Sequence, residues 1–245
     1  MLKNYFKIAF RTLARSKGYA FINILGLAIG ITGATLLLTY VKDETSFDQF
    51  HSKADDIARI IVVDKTGEAP RKFASNAAIF ASTLVEELPE VTNATTLFMR
   101  GGHMNFTIDG VRFAQRNYFI TDPSFFEVFD FEFLDGNRAT ALAEPNSVVL
   151  SENEAIRYFG KTDVLGEIIT SPFAGDFKVT GISKNTPANS HIKFDVLISQ
   201  NYSDPQWQQM LTSWEQIGPT SYLVLAKGAN IADVQSKAEA LANEK

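Results

Sequence analysis

The stretch Ala20–Val41, AFINILGLAIGITGATLLLTYV, carries no charged side chain. As a helix rising about 1.5 Å per residue, its 22 residues reach roughly 33 Å, close to the hydrocarbon thickness of a bilayer. The reading is a transmembrane helix over residues 20–41, and the rest of the chain is placed by it. A cleaved signal peptide is the rival, but its apolar run would be about 7–15 residues long, next to a small-residue cleavage site. Here the run is longer and closes on Thr39, Tyr40 and Val41.

The charges flanking this stretch orient it. Lys3, Lys7, Arg11, Arg15 and Lys17 precede it, with no acidic residue before Asp43. That bias predicts a cytoplasmic N-terminus and an extracytoplasmic location for the chain beyond Val41. Within residues 1–19, Leu2, Tyr5, Phe6, Ala9, Phe10 and Leu13 recur at helical spacing, while Lys3, Lys7 and Arg11 fall on another face. The pattern fits an amphipathic helix lying against membrane lipid; a disordered basic arm is the alternative. Inside the span, Gly26, Gly30 and Ala34 recur every fourth residue, and Asn23 and Gly33 fall near the same stripe. These five are the candidate packing face for a second helix, unless the spacing only reflects how common glycine is in membrane helices.

The 245 residues hold 23 basic and 28 acidic side chains. Setting aside the five cations of the first 17 residues leaves 18 against 28, so the remainder is acidic and no nucleic-acid partner is expected. With no cysteine, disulfides and thiol nucleophiles are excluded.

Past the membrane stretch the pattern is α+β. Strands are expected over 57–63, 95–100, 105–113 with a turn at Asp109–Gly110, 147–150, 166–170 and 177–182 around the turn SPFAGD, 194–199 and 220–226. Helices are expected over 76–88, ended by Pro89, from Asp122–Pro123 onward, after the capping box Ser151/Glu154 with Gly160 as its stop, and over 231–242. The aromatic run Phe125, Phe126, Phe129, Phe131 and Phe133 reads as core rather than a ligand slot.

Chemistry is scarce. The sequence has no phosphate-cradling GxxxxGK[ST], no GxSxG and no HExxH. His51, His103 and His191 lack ligand-like spacing, and Asp130, Glu132 and Asp135 before Gly136 do not have the spacing of a calcium loop. Asn93, Asn105 and Asn201 open N-x-S/T triplets, relevant only in a eukaryotic secretory pathway. No catalytic residue, metal ligand or cofactor site is expected, and the chain is read as a non-enzyme.

The ordered segments INILGLAIG (22–30), YVKDETSFDQFH (40–51), FFEVFDFEFLDGN (125–137), PNSVVLSENEAIRYFG (145–160), VLGEII (164–169), VTGI (179–182) and PANSHIKFDVLIS (187–199) resemble the permease subunits of MacB-type ABC transporters, with FtsX-like permeases as relatives. The resemblance implies a four-span permease whose first helix leads into a large periplasmic core domain over 44–245. That domain would have two subdomains, 55–115 plus 218–245 and an inserted 116–217. It also implies a separate cytoplasmic ABC ATPase, a second permease copy, a periplasmic or outer-membrane partner, and substrates among drugs, peptides and lipoproteins. The sequence ends at Lys245, short of the three further spans such a permease carries, so the expectation is either an N-terminal fragment or a solitary anchored domain. The alternatives are a membrane-anchored binding or sensory module uncoupled from ATP and, less favoured, an anchored hydrolase.

Overall fold

The computed structural model describes residues 2–99, 103–172, 174–201 and 205–244. They divide into two compact units, Met1–Phe47 and Asp48–Lys245.

The first unit is helical. α1 (Leu2–Arg15) has the expected amphipathic pattern, and α2 (Lys17–Thr45) is 29 residues long. α2 starts three residues before the predicted span and runs four beyond it, so the span lies inside a longer helix. Two of its hydroxyls bond back onto the helix: Thr39 Oγ1 donates to the Thr35 carbonyl at 2.8 Å and Thr45 Oγ1 to that of Val41 at 2.8 Å. Ser46 closes the helix, its amide and hydroxyl both reaching the Asp43 carbonyl.

The second unit carries β1 (Ile57–Arg59), β2 (Val62–Asp64), β3 (Arg71–Phe73), β4 (Ser75–Ala77), α3 (Ala78–Glu87), β5 (Val91–Phe98), β6 (Met104–Ile108), β7 (Val111–Gln115), β8 (Tyr118–Thr121), α4 (Phe125–Val128) and β9 (Phe133–Gly136). β10 (Ser147–Ser151), α5 (Glu152–Phe159), β11 (Ile168–Ser171), β12 (Gly175–Ser183), β13 (Val196–Ser199), α6 (Pro205–Leu211), β14 (Ile217–Leu225) and α7 (Ile231–Glu244) complete it. A mixed sheet runs β1-β14-β5-β8-β13-β10-β12-β11-β6-β7, with β4 beside β14 and β9 beside β12; β2 and β3 form a separate hairpin. β10/β12 and β8/β13 are parallel, the other ladders antiparallel. The β5/β8 ladder, Leu97↔Thr121 and Phe98↔Ile120, is the short seam joining the two ends of the sheet. Segment 55–115 contributes to both ends, because its β6/β7 hairpin pairs with β11 rather than with β5.

Both faces of the sheet are covered, which is why its central strands read as unbroken apolar runs. Val148 and Leu150 of β10 and Val196 and Ile198 of β13 enter one cluster with Phe106, Tyr158 and Phe177, while the intervening Val149 and Leu197 enter another. β14 alternates in the same way: Leu223 and Leu225 pack under α3 and α7, whereas Tyr222 and Val224 join the aromatic cluster of α4. The period of two in side-chain direction thus distributes each strand between two dry layers.

Several local expectations hold. Asp109 and Gly110 both have positive φ, 48° and 79°, the backbone of a tight hairpin. Ser151 Oγ accepts the Glu154 amide at 3.3 Å, and Gly160 closes α5 in the left-handed region at φ 73°. Others are corrected. The single strand expected over 57–63 is two, because the chain leaves the sheet edge after Ile60 and turns into the β2/β3 hairpin. The helix expected from Asn76 starts at Ala78, since Ser75 and Ala77 are taken by pairing with β14. β8 and α6 had no predicted counterpart. Arg100 and Phe173, which fall in an expected strand and an expected turn, lie outside the described residues.

Candidate functional site

A polar site with many converging groups forms where residues 48–53, just after the apolar helix, meet two loops of the core unit. Asp48 sits at φ 59°, a conformation that Asp tolerates better than most residues. From there its amide donates to the Asn189 carbonyl at 2.8 Å, and Oδ1 accepts the His191 amide at 3.0 Å. Oδ2 lies 2.6 Å from His191 Nδ1. A carboxylate only accepts, so Nδ1 carries the proton in this pair. On the ring's other side Nε2 stands 2.8 Å from the Tyr222 hydroxyl, which burial pushes above its ordinary pKa against the nearby Arg59. The receiving loop is closed on itself: Lys193 Nζ donates to the Pro187 and Ala188 carbonyls, and Ser190 Oγ to that of Ile192.

A second set of bonds comes at once after the first. The Ser52 amide and hydroxyl donate to Asp130 Oδ2 at 2.6 and 2.7 Å, and Lys53 Nζ donates to the Glu127 carbonyl at 2.9 Å. Arg138 backs the same loop, donating to Asp130 Oδ1 and to the Phe126 and Phe129 carbonyls. Burial favours the neutral form of Asp130, but the Ser52 and Arg138 donors outweigh it and hold the carboxyl below its usual range. Between these two sets lies His51, 4% exposed, its ring 4.0 Å from that of Phe50 and about 5 Å from those of Phe129 and Phe131. Its Nδ1 accepts the Asp130 amide at 2.9 Å, which puts the proton of the neutral ring on Nε2. Nε2 is buried and has no partner among the described residues. Burial lowers the pKa of His51, with Asp48 and Asp130 opposing.

Asp48, His51, Arg59, Phe129, His191 and Tyr222 line a cleft of about 360 Å³. The structure therefore brings together two of the three histidines; the third, His103, accepts from Arg116 Nε at 2.8 Å elsewhere. Among the described residues no group of three or more His, Asp or Glu side chains is placed to hold a metal. The faint calcium-loop residues disperse: Asp130 joins the clasp, Glu132 pairs with Lys184, and Asp135 accepts the Gly136 amide. The five residues expected to form a helix-packing face, Asn23, Gly26, Gly30, Gly33 and Ala34, are all exposed. Apart from the helix's own neighbouring backbone, no described atom lies within 4 Å of where a Cβ would stand on any of the three glycines.

Asp48, Ser52, Asp130 and Arg138 were not legible as a set, because the contacts of Ser52 and Asp48 reach partners 78 and 143 residues away in sequence. The available signal was that DQFH and ANSH both sit in segments carrying the family resemblance.

Three solved structures share the fold. A domain of a candidate permease protein from Porphyromonas gingivalis matches with a TM-score of 0.63 at 21% identity, covering 78% of this chain and 84% of its own. The periplasmic region of MacB from Actinobacillus actinomycetemcomitans gives 0.54 at 14% identity, covering 76% and 82%. The extracellular domain of YknZ, a noncanonic ABC-type transporter of Gram-positive bacteria, gives 0.51 at 15% identity, covering 70% and 84%. No curated protein sequence matches significantly. The apolar N-terminal helix, the sheet covered on both faces and the match of residues 20–241 to the MacB-like periplasmic core domain place the chain in that family, found in permeases of ABC-type transporters.

Proposed function

We propose that this chain is the N-terminal part of a MacB-type permease without catalytic residues of its own, coupling ATP hydrolysis by a separate cytoplasmic ABC ATPase to movement of the periplasmic domain. In this reading α1 lies on cytoplasmic membrane lipid, α2 crosses the inner membrane with its N-terminus inside, and a second permease copy packs against Asn23, Gly26, Gly30, Gly33 and Ala34. The observation that carries it is the clasp. The first residues after the apolar helix are held by directed bonds to two separate loops of the core unit, so a pull on the segment reaches both. A flexible tether would transmit nothing.

The test is to tag the protein in its host membranes and identify what copurifies. A phosphate-loop ATPase is expected. In the reconstituted complex Asp48→Ala should leave ATP hydrolysis in place but reduce the nucleotide-dependent distance change between spin labels on the core unit; absence of any ATPase, or an unaltered distance change, overturns the reading. The cysteine-free chain makes such labelling site-specific. The 360 Å³ cleft favours one alternative, an anchored binding module, which predicts ligand-dependent stabilisation with no ATPase present.

A further inference from the structure

We propose that His51 makes the clasp proton-sensitive: below neutral pH its protonation releases residues 48–53 from the 127–130 loop. This deepens the coupling reading, on which its physiological meaning rests, although the release itself is measurable without it. The geometry carries the inference. In the closed clasp Nδ1 faces a donor, the Asp130 amide, and Nε2 faces no acceptor among the described residues. An imidazolium must donate from both nitrogens. A charged ring therefore breaks the Asp130 bond and stays walled by Phe50, Phe129 and Phe131, so it has to leave the cage. Asp130 is also the acceptor of both Ser52 bonds, so losing its amide contact loosens the anchor at its centre.

The surrounding charges are mixed. Asp48 and Asp130 favour a charged His51, while His191 and Arg138 disfavour it and burial disfavours it most. Arg59 across the cleft adds positive charge, and Lys53 on the same segment is turned to the Glu127 carbonyl. With the closed-state pKa below the ordinary histidine value, the open state binds more protons. The closed clasp thus has its full stability above about pH 6.5 and loses it as the pH falls below that value. The open-to-closed ratio should therefore rise between pH 7.5 and 5.5, with about tenfold as the ceiling that an ordinary open-state histidine sets.

The measurement is hydrogen exchange of the full chain in nanodiscs, followed on peptides covering 48–56 and 126–132 and corrected for the intrinsic pH dependence of exchange. In the wild type, protection should drop from pH 7.5 to 5.5 in both peptides, by up to about tenfold. In His51→Asn, whose side-chain oxygen supplies an acceptor without titrating, the drop should vanish; in His191→Asn it should persist. Unchanged wild-type protection, or an equal drop in His51→Asn, overturns the proposal. Should His51→Asn not fold, the histidine ring resonances decide. With three histidines, of which His103→Asn and His191→Asn assign two, the His51 midpoint must coincide with the exchange transition, and a midpoint elsewhere overturns the proposal. Both readouts stand even if no ATPase copurifies, so failure of the latch and failure of the coupling reading are distinguishable.

Discussion

The aromatic layer under α4 and the clasp beside it hold the same loop by opposite means. On one side Phe125, Phe126, Phe129 and Phe131 pack with Phe194 and Tyr222, ring centroids about 5–6 Å apart and mostly edge to face. On the other, Asp130 and the carbonyls of Phe126, Glu127 and Phe129 are gripped by Ser52, Lys53, Arg138 and the His51 ring through directed bonds. The first contact type scales with apolar area removed from water and has no preferred partner. The second depends on a few distances and on protonation, so it can be opened without unfolding the layer beneath it.

The largest expected effect comes from breaking the apolar side. Phe125 is fully buried and touches four other rings. Phe125→Ala should cost about 3–5 kcal/mol, read as a lowered denaturant midpoint of the full chain in detergent. A loss below about 1 kcal/mol would mean that the layer collapses around the gap and that α4 is not fixed by packing.

Next comes the clasp. Asp48→Ala removes the acceptor of the His191 ring and amide and places a residue poorly suited to φ 59° at the turn. The expected cost is about 1–2 kcal/mol, discounted because both side chains are part-exposed, at 27% and 38%. Asp48→Asn keeps an acceptor and tolerates the turn, so it should lose less than half as much. Equal losses for the two substitutions would show that charge, rather than geometry, closes this contact.

Legibility in the sequence divides along the same line. The α+β class, α5 with its cap and stop, the 109–110 turn and the aromatic layer were visible because each rests on residues a few positions apart or on composition. β8 escaped because YFIT is a four-residue run buried on both faces, without the alternation that marks a half-exposed strand. β4 escaped because Ser75–Ala77 is extended only through its partner β14, 140 or more residues away. The clasp escaped for a stronger version of that reason. No local rule ties Asp48 to His191, and three histidines judged by spacing gave no hint that two share a cleft.

The smallest expected effect sharpens the comparison from inside the polar class. Ser151 Oγ to the Glu154 amide is a hydrogen bond like those of the clasp, but it spans three residues and is formed by the helix it caps. Ser151 is 1% exposed at the end of β10, so removing the hydroxyl leaves the amide without its side-chain acceptor in a dry place. Ser151→Ala should therefore cost about 1 kcal/mol, measured by the same denaturant titration. Exchange protection in the 48–56 and 126–132 peptides should not change, because the lost bond and its consequences stay within α5. A drop in those peptides would mean that β10 and α5 are mechanically continuous with the clasp, which would remove the distinction between a local bond that stabilises one helix and a long-range set that ties residues 48–53 to two loops.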